Sequence, residues 1–156
     1  MRETLSPESE TAPANRVEQA GAICYRMCAG RPPEVLLVAS RRNGQWGIPK
    51  GHVETGESSG TAAAREALEE AGVRGIVSDV AIGSFVYTKD RGDLAYHIDV
   101  HLLEVEEMLA DFPEKDSRQR QWAPLETAAR EVSNPRLREL LLCLAGRTKP
   151  GQLALA

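Results

Sequence analysis

The stretch GHVETGESSGTAAAREALEEAGV, residues 51–73, predicts a loop followed by a strongly favoured helix. Ser58 or Ser59 is well placed to cap the helix, because a serine hydroxyl accepts a hydrogen bond from the first turn. Residues 62–71 are rich in alanine and glutamate, which favour helix, and Gly72 follows at a position where glycine commonly ends one. Residues 51–73 therefore predict a loop followed by a helix that ends at Gly72.

A helical wheel separates this helix into a small apolar arc and an acidic arc. The apolar arc is formed by Gly60, Ala64, Ala67, Leu68 and Ala71. On the opposite arc, Glu66 and Glu70 are like charges four residues apart, and Glu69 adjoins both. They also lie near the C-terminal end of the helix, where its dipole disfavours anions. A divalent cation would relieve both penalties, and carboxylate oxygens suit Mg²⁺ or Mn²⁺. A solvated acidic face is the alternative.

The spacing of the glycines, glutamates and arginine favours the metal interpretation. Gly51, Glu57 and the run REALEEAGV at 65–73 match the pattern GX5EX7REUXEEXGU, where U is a bulky aliphatic residue. Ala67, at the first U position, is the one departure from the pattern. The chain therefore resembles the Nudix hydrolase superfamily, over about residues 17–145. We expect a Nudix domain at 17–146, a disordered or loosely packed tail at 1–16, and a C-terminal tail at 147–156.

The resemblance implies a fold and a chemistry. Nudix proteins are α/β proteins, built as an α/β/α sandwich around a mixed sheet, and they cleave a diphosphate linked to another moiety with Mg²⁺ or Mn²⁺ and water. Carried over by position, the metal ligands would be the side chains of Glu66, Glu69 and Glu70 and the carbonyl of Gly51. Glu66 or Glu70 would also accept the proton of the attacking water. Arg65 would orient the glutamates, and Glu57 would support the loop through Arg65.

An acid outside this motif often completes such a metal site. Glu114 and Asp116 precede a short predicted strand at 119–123, and either is a candidate. The alternative is that both are exposed loop charges.

The basic residues and one histidine are candidate substrate ligands, namely Arg41, Lys50, Arg118, Arg120 and His97. The stretch RQRQW at 118–122 is similar to a basic segment of the diphosphoinositol polyphosphate phosphohydrolases, and PKGH at 49–52 is similar to the diadenosine polyphosphate hydrolases. We therefore expect a small phosphorylated substrate, either a diphosphoinositol polyphosphate or a dinucleoside polyphosphate. ADP-ribose, nucleoside triphosphates and capped RNA ends remain open, and a non-catalytic nucleotide sensor is the alternative from another class.

The remaining sequence predicts strands around the motif and helices after it. Residues 35–39 are typical of a buried strand, and residues 76–88 and 93–105 of two long strands joined by a hairpin turn at 89–92. In the second long strand, alternation places His97 and His101 on a polar face that could line a pocket. Helices are predicted to start after Pro124 and after Asn134-Pro135, with Gly146 ending the second. Trp46 and Trp122 are interpreted as core residues rather than stacking platforms.

The composition argues against several classes of protein. The 156 residues carry a formal net charge of −4 and the pI is about 5.5, which argues against a DNA-binding or general nucleic-acid-binding protein. The sequence contains no run of roughly 18 apolar residues, the length that spans a bilayer. Cys24, Cys28 and Cys143 form no CxxC pair and are interpreted as buried thiols in a reducing compartment. We expect a cytoplasmic monomer or homodimer.

Overall fold

Eight strands form one mixed sheet in the computed structural model, which describes residues 15–89 and 94–147 apart from the side chain of Arg147. The strands are β1 (Arg16–Cys28), β2 (Arg31–Ala39), β3 (Trp46–Gly47), β4 (Lys50–His52), β5 (Val73–Val77), β6 (Gly83–Thr88), β7 (Ala95–Met108) and β8 (Arg120–Pro124). The helices are α1 (Ser59–Glu66), continued by a π-helical segment (Ala67–Ala71), then α2 (Leu125–Glu131) and α3 (Pro135–Arg147).

The long strands β1 and β7 organise the sheet, whose main order is β3-β2-β1-β7-β5. They pair in parallel, and all other strand pairs are antiparallel. The first half of β1 pairs with β4 and its second half with β2. The first half of β7 pairs with β6 and its second half with β5. The mixed sheet predicted from the sequence is therefore confirmed.

Alternation along β1 sends side chains into two separate cores. Ala20, Ala22 and Cys24 pack against alanines of α1 and the π-helical segment, in a core that also holds Leu36 and Leu103. Ile23 points the other way, into a core that α2 and α3 cover with leucines and alanines. Small side chains let α1 approach the sheet closely, so α1 lies directly on β1. Because helices cover both faces of the sheet, the predicted α/β/α sandwich is confirmed.

Four residues begin, cap or end the helices as the sequence predicts. The Ser58 hydroxyl accepts a hydrogen bond from the Thr61 amide at 3.1 Å, and Gly72 ends the helix with φ of 67°. Pro124 precedes α2, and Asn134 Oδ1 caps α3 by accepting from two backbone amides. The glycine at 72 is required there because its positive φ is costly for residues with a side chain.

The predicted strand at 76–88 is wrong as a single element. β5 ends at Val77 and β6 begins at Gly83. Between them, the Ser78 amide donates to the Leu102 carbonyl at 2.8 Å, and the Ser78 hydroxyl accepts from the Leu102 amide at 3.1 Å. These bonds hold the chain where it crosses from one half of β7 to the other. Residues 90–92 of the predicted hairpin turn at 89–92 lie outside the described residues.

Three further expectations are corrected. Arg16, assigned to the N-terminal tail, is the first residue of β1, and α3 runs through Gly146 to Arg147. Cys143 is exposed, whereas Cys24 and Cys28 are buried. Residues 1–14 and 148–156 lie outside the described residues. No helix within the described ranges is long and apolar enough to cross a membrane.

His101 is fully buried and lies outside the cavity that Glu66, Glu69 and Glu70 line. Its Nδ1 lies 2.8 Å from the Ser78 carbonyl oxygen and its Nε2 lies 2.7 Å from the Ser59 hydroxyl. Because a carbonyl can only accept, Nδ1 carries the proton and Nε2 accepts from Ser59. The face of β7 that reads as polar in sequence is covered here by the start of α1, so His101 fastens that helix to the sheet.

Candidate active site

Arg65, in the last turn of α1, joins the loop, β4 and the helix. Its Nε and Nη2 each donate to a different Glu57 carboxylate oxygen at 2.9 Å. Its Nη1 donates to Glu66 Oε2 and its Nη2 also donates to the His52 carbonyl, both at 2.9 Å. This fork geometry needs guanidinium, since a lysine ammonium cannot make two parallel bonds to one carboxylate. The roles expected for Arg65 and Glu57 are thus geometrically available.

The Glu57 carboxylate is strongly stabilised in its ionised form. The hydrogen bonds from Arg65, with one from the Glu54 amide, lower the pKa of Glu57 to about 2. The same partnership raises the pKa of Arg65 above its ordinary value. The pair therefore stays ionised across the physiological range.

Glu57→Gln is expected to remove a pH-dependent part of the stability. The carboxylate has an ordinary pKa of 4.5 and a folded pKa of about 2, so its contribution is complete above 4.5 and is lost as the pH falls toward 2. The difference in free energy of unfolding between wild type and Glu57→Gln should be constant near neutral pH and shrink below 4.5. Urea titrations over that range measure it. A difference that stays constant down to the folded pKa would contradict the ion-pair interpretation.

Glu66 and Glu70 are buried, with only 8% and 7% of their surfaces exposed. Glu70 accepts from the Lys50 amide at 3.2 Å and lies 3.2 Å from Arg118 Nη2. Burial raises the pKa of Glu70 to about 7, and burial with the neighbouring Glu69 charge raises the pKa of Glu66. Glu66 and Glu70 are therefore not part of a solvated helix face, because remote segments of the chain cover them, whereas the Glu69 side chain is 39% exposed.

Gly51 leaves room for the carboxylate of Glu66. A Cβ atom built on it would overlap the carboxylate of Glu66. The constraint is close approach rather than backbone strain, because Gly51 is not among the glycines with positive φ. The motif glycine thus lets β4 lie directly against the acidic arc.

The carboxylate and carbonyl oxygens at this site suit a hard divalent cation, although the carboxylates do not surround a single point. Among the described residues, no three His, Cys, Asp or Glu side chains are close enough to form a ready metal site. Gly51, Glu66, Glu69 and Glu70 nevertheless line one cavity of about 460 Å³. Arg65 and Arg118 hold oxygens of these glutamates, so a cation would compete with both guanidiniums. Three carboxylates and a carbonyl suit Mg²⁺ or Mn²⁺.

Basic side chains from distant segments line the same cavity, which we call the acidic–basic cavity. They include Arg41, Arg42, Lys50, Lys89 and Arg118. Burial lowers the pKa of Lys50, which lies near both Glu70 and Arg118. Positive side chains and carboxylates thus line one cavity, which suits an anionic substrate bridged by a cation.

Two predicted substrate ligands lie elsewhere. Arg120 donates to the Ala71 carbonyl at 2.6 Å and to the Leu109 carbonyl at 3.0 Å, and its guanidinium lies over Phe112. It therefore fastens the end of the helix to the chain after β7. His97 Nδ1 lies 3.3 Å from a Glu18 carboxylate oxygen, and His97 is not among the described residues that line the acidic–basic cavity.

The candidate extra acids are also separated. Glu114 lines the acidic–basic cavity and accepts from Arg118 Nε at 2.6 Å, with Arg41 3.9 Å away. Asp116 is exposed and does not line the cavity. Of the two, only Glu114 is positioned near the site, where it holds Arg118.

Arg118→Gln and Arg120→Gln are expected to have different consequences. Because Arg118 lines the cavity, its loss should raise KM for a diphosphate substrate about tenfold. Arg120→Gln should lower the melting temperature by a few degrees, since two backbone carbonyls lose their donor, while KM stays within about twofold. Steady-state kinetics and thermal melts of both variants measure this. Equal KM effects would mean that the two arginines act only through general charge.

Sequence reasoning missed Gln19, Tyr87 and Lys89, which also line the acidic–basic cavity. These residues come from β1 and from β6 and its end, far from the motif in sequence. Only the pairing of β4 with β1 and of β6 with β7 brings them to the site. No local pattern in the sequence marks them.

Comparisons with known proteins agree with this geometry. A family model described as NUDIX domain matches residues 17–142. Over 114 residues the chain is 39% identical to diphosphoinositol polyphosphate phosphohydrolase 3-beta of Bos taurus, an alignment covering 71% of this chain and 66% of the relative. It is 32% identical over 120 residues to Nudix hydrolase 16, mitochondrial, of Arabidopsis thaliana, covering 73% of this chain and 66% of that protein. Both alignments span just under two thirds of the relative's length.

Solved structures show the same fold. The Ap4A hydrolase of C. elegans superposes with a TM-score of 0.63 at 25% identity, over 83% of this chain and 96% of that one. A NUDIX hydrolase from Nitrosomonas europaea superposes with a TM-score of 0.66 at 21% identity, over 86% and 93% of the two chains. With the motif, the fold and the family model in agreement, the chain belongs to the Nudix family.

Proposed function

We propose that this chain is a pyrophosphohydrolase that cleaves a diphosphate linkage in a small phosphorylated molecule with Mg²⁺ or Mn²⁺. The observation that carries the proposal is the acidic–basic cavity, where Glu66, Glu69 and Glu70 face Lys50 and Arg118. The relatives named as phosphohydrolases support it, as does the general use of divalent metal ions by Nudix hydrolases. A mere anion-binding domain would not need three carboxylates beside its cations.

The cation would be held by Glu66, Glu69, Glu70 and the Gly51 carbonyl, where it would neutralise diphosphate charge and lower the pKa of bound water. Lys50 and Arg118, which line the same cavity, would neutralise the remaining phosphate charge. Glu66 or Glu70, turned into the cavity, would accept the proton from the attacking water. Arg65 would keep both the loop and Glu66 in place through its four hydrogen bonds.

The substrate classes proposed are the dinucleoside polyphosphates and the diphosphoinositol polyphosphates. The names of the relatives support the second class, and the name of the C. elegans structure supports the first. ADP-ribose and nucleoside triphosphates share the diphosphate linkage and belong in the same test.

A substrate panel tests the proposal. Wild type is incubated with diadenosine tetraphosphate, diphosphoinositol pentakisphosphate, ADP-ribose and a nucleoside triphosphate, each with Mg²⁺, Mn²⁺ or EDTA. We expect metal-dependent release of two phosphate-bearing products from at least one of them. Absence of turnover across the panel, with the Glu66→Gln variant indistinguishable from wild type in metal binding, would overturn the proposal.

A further inference from the structure

Arg118 is held at the acidic–basic cavity by partners from three different segments of the chain. Its Nε donates to Glu114 Oε1 at 2.6 Å, its Nη1 donates to the Ala39 carbonyl at 3.1 Å, and its Nη2 lies 3.2 Å from Glu70 Oε2. Only 13% of the side chain is exposed. Each nitrogen of the guanidinium therefore has a partner, and one of these partners is a carboxylate that we propose holds the cation.

Both carboxylate oxygens of Glu70 are engaged in this arrangement. Oε1 accepts from the Lys50 amide at 3.2 Å, and Oε2 faces Arg118. A divalent cation bound to Glu70 would lie beside the guanidinium, and like charges at such short range repel each other. Binding of a cation at Glu70 is therefore weakened unless another group balances the charge of Arg118.

Glu114 is placed to balance that charge. Its amide donates to the Glu69 carbonyl at 3.1 Å, and its carbonyl accepts from the Ser117 amide at 3.1 Å. These backbone bonds fix Glu114 relative to the π-helical segment that carries Glu69 and Glu70. Its carboxylate is therefore held in reach of Arg118 by contacts that do not involve Glu70.

The Glu114 carboxylate is better placed to hold an arginine than to bind a cation itself. Its Oε1 already accepts from Arg118 at 2.6 Å, and Arg41 Nε lies 3.9 Å from the same oxygen. A cation bound at this oxygen would meet both guanidiniums, and that repulsion disfavours Glu114 as a ligand.

From this arrangement we infer that Glu114 is a positioning residue for cation binding, which retains Arg118 and balances its charge when Glu70 binds the cation. The inference rests on the proposed function and adds to it a residue outside the motif. With Glu114 in place, Arg118 can release Glu70 and stay at the cavity through Glu114 and the Ala39 carbonyl. Without it, Glu70 is the carboxylate left to Arg118 among the described contacts, and their pairing competes with the cation.

Binding of Mn²⁺ to the substrate-free protein tests the inference without requiring turnover. Titrations at physiological salt follow free Mn²⁺ by electron paramagnetic resonance, and the Glu66→Gln/Glu70→Gln variant measures binding elsewhere on the protein. Glu114→Gln should weaken Mn²⁺ binding at the acidic arc about fivefold, because Arg118 then pairs with Glu70 alone. Arg118→Gln should strengthen Mn²⁺ binding by about the same factor, because the competing guanidinium is gone.

The Glu114→Gln/Arg118→Gln double variant separates positioning from direct ligation. If Glu114 acts through Arg118, the double variant should bind Mn²⁺ within about twofold of Arg118→Gln. Asp116→Asn is the matched control, because it removes a carboxylate from the same segment at an exposed position outside the cavity. It should stay within about twofold of wild type. If Glu114→Gln does not fold, Glu114→Asp replaces it in both backgrounds, since the shorter side chain draws the carboxylate away from Arg118.

The inference is overturned if Glu114→Gln binds Mn²⁺ like wild type, or if Asp116→Asn weakens binding as much. An equal loss of affinity with and without Arg118 would also overturn it, because Glu114 would then be a direct ligand. Failure of the metal site in the proposed function has a different signature, namely wild type binding Mn²⁺ no better than Glu66→Gln/Glu70→Gln. That result would overturn both proposals, whereas the first three refute only the role of Glu114.

Discussion

Glu70→Gln is expected to lower kcat by about 10²-fold or more and to leave the melting temperature unchanged or slightly raised. The activity should fall because the substitution removes a cavity carboxylate that we propose holds the cation or accepts a proton. The fold survives because glutamine still accepts from the Lys50 amide, and Arg118 keeps Glu114 and the Ala39 carbonyl as partners. Burial raises the pKa of Glu70 to about 7. Replacing this buried carboxylate by a neutral amide therefore also removes a desolvation cost.

Glu107→Gln is the matched control for the loss of one charge. Glu107 is an exposed residue of β7 that lies outside the acidic–basic cavity. Its carboxylate Oε1 lies 3.7 Å from Arg74 Nη1. Initial rates at saturating substrate, together with thermal melts, compare the two variants. If Glu70→Gln retained near wild-type kcat with a normal melt, Glu70 would have no part in the chemistry.

Arg65→Lys is expected to impair stability and activity together, despite keeping the positive charge. Lysine cannot reproduce the four bonds at 2.9 Å to Glu57, Glu66 and the His52 carbonyl. Loss of these charge-assisted bonds should cost about 2 kcal/mol of stability, or roughly 4–8 °C in melting temperature. Glu66, which we propose as a metal ligand, would also lose its orientation, so kcat/KM should fall at least about tenfold.

Arg74→Lys provides the control for this substitution. Arg74 is an exposed strand residue whose ion pair with Glu107 is at 3.7 Å, and such pairs contribute little. Thermal melts and kcat/KM are measured on both variants and on wild type. Similar melts for the two variants would show that the fork of Arg65 is dispensable and that charge alone suffices.

The helix and its boundaries were predictable because their causes are local. A serine cap, an alanine-rich run and a glycine with φ of 67° lie within 15 residues of one another, Ser58 to Gly72. The helical wheel identified the acidic arc for the same reason. Burial of Glu66 and Glu70 was not predictable, because the cover comes from β4 and from Arg118, which only the folded sheet brings there.

Arg118 and Arg120 show the limit of transferring a role from a similar sequence. Both were assigned to substrate binding because RQRQW at 118–122 is similar to a basic segment of the diphosphoinositol polyphosphate phosphohydrolases. In the fold, Arg118 turns to Glu70 and Glu114, whereas Arg120 reaches the carbonyls that end the helix. Long side chains let two nearby arginines reach different partners, and a local sequence similarity carries no information about that reach.

His101 illustrates a different limit. Its alternation with apolar neighbours predicted a polar, pocket-lining face, yet the side chain is fully buried beneath the start of α1. A buried histidine is stable where both ring nitrogens have partners, and here Ser59 and the Ser78 carbonyl supply them. Both partners come from other elements, so the sequence around His101 does not reveal them.

The most direct test of the central claim is the melting temperature of the protein as a function of Mg²⁺, in wild type and in the Glu66→Gln/Glu70→Gln double variant. Glu106→Gln/Glu126→Gln, at two exposed positions, controls for the removal of two charges. If the acidic arc holds the cation, saturating Mg²⁺ should raise the melting temperature of wild type and of the control by about 5 °C or more, and leave the double variant unchanged. An equal rise in all three proteins, or no rise in wild type, would contradict a metal site at these glutamates.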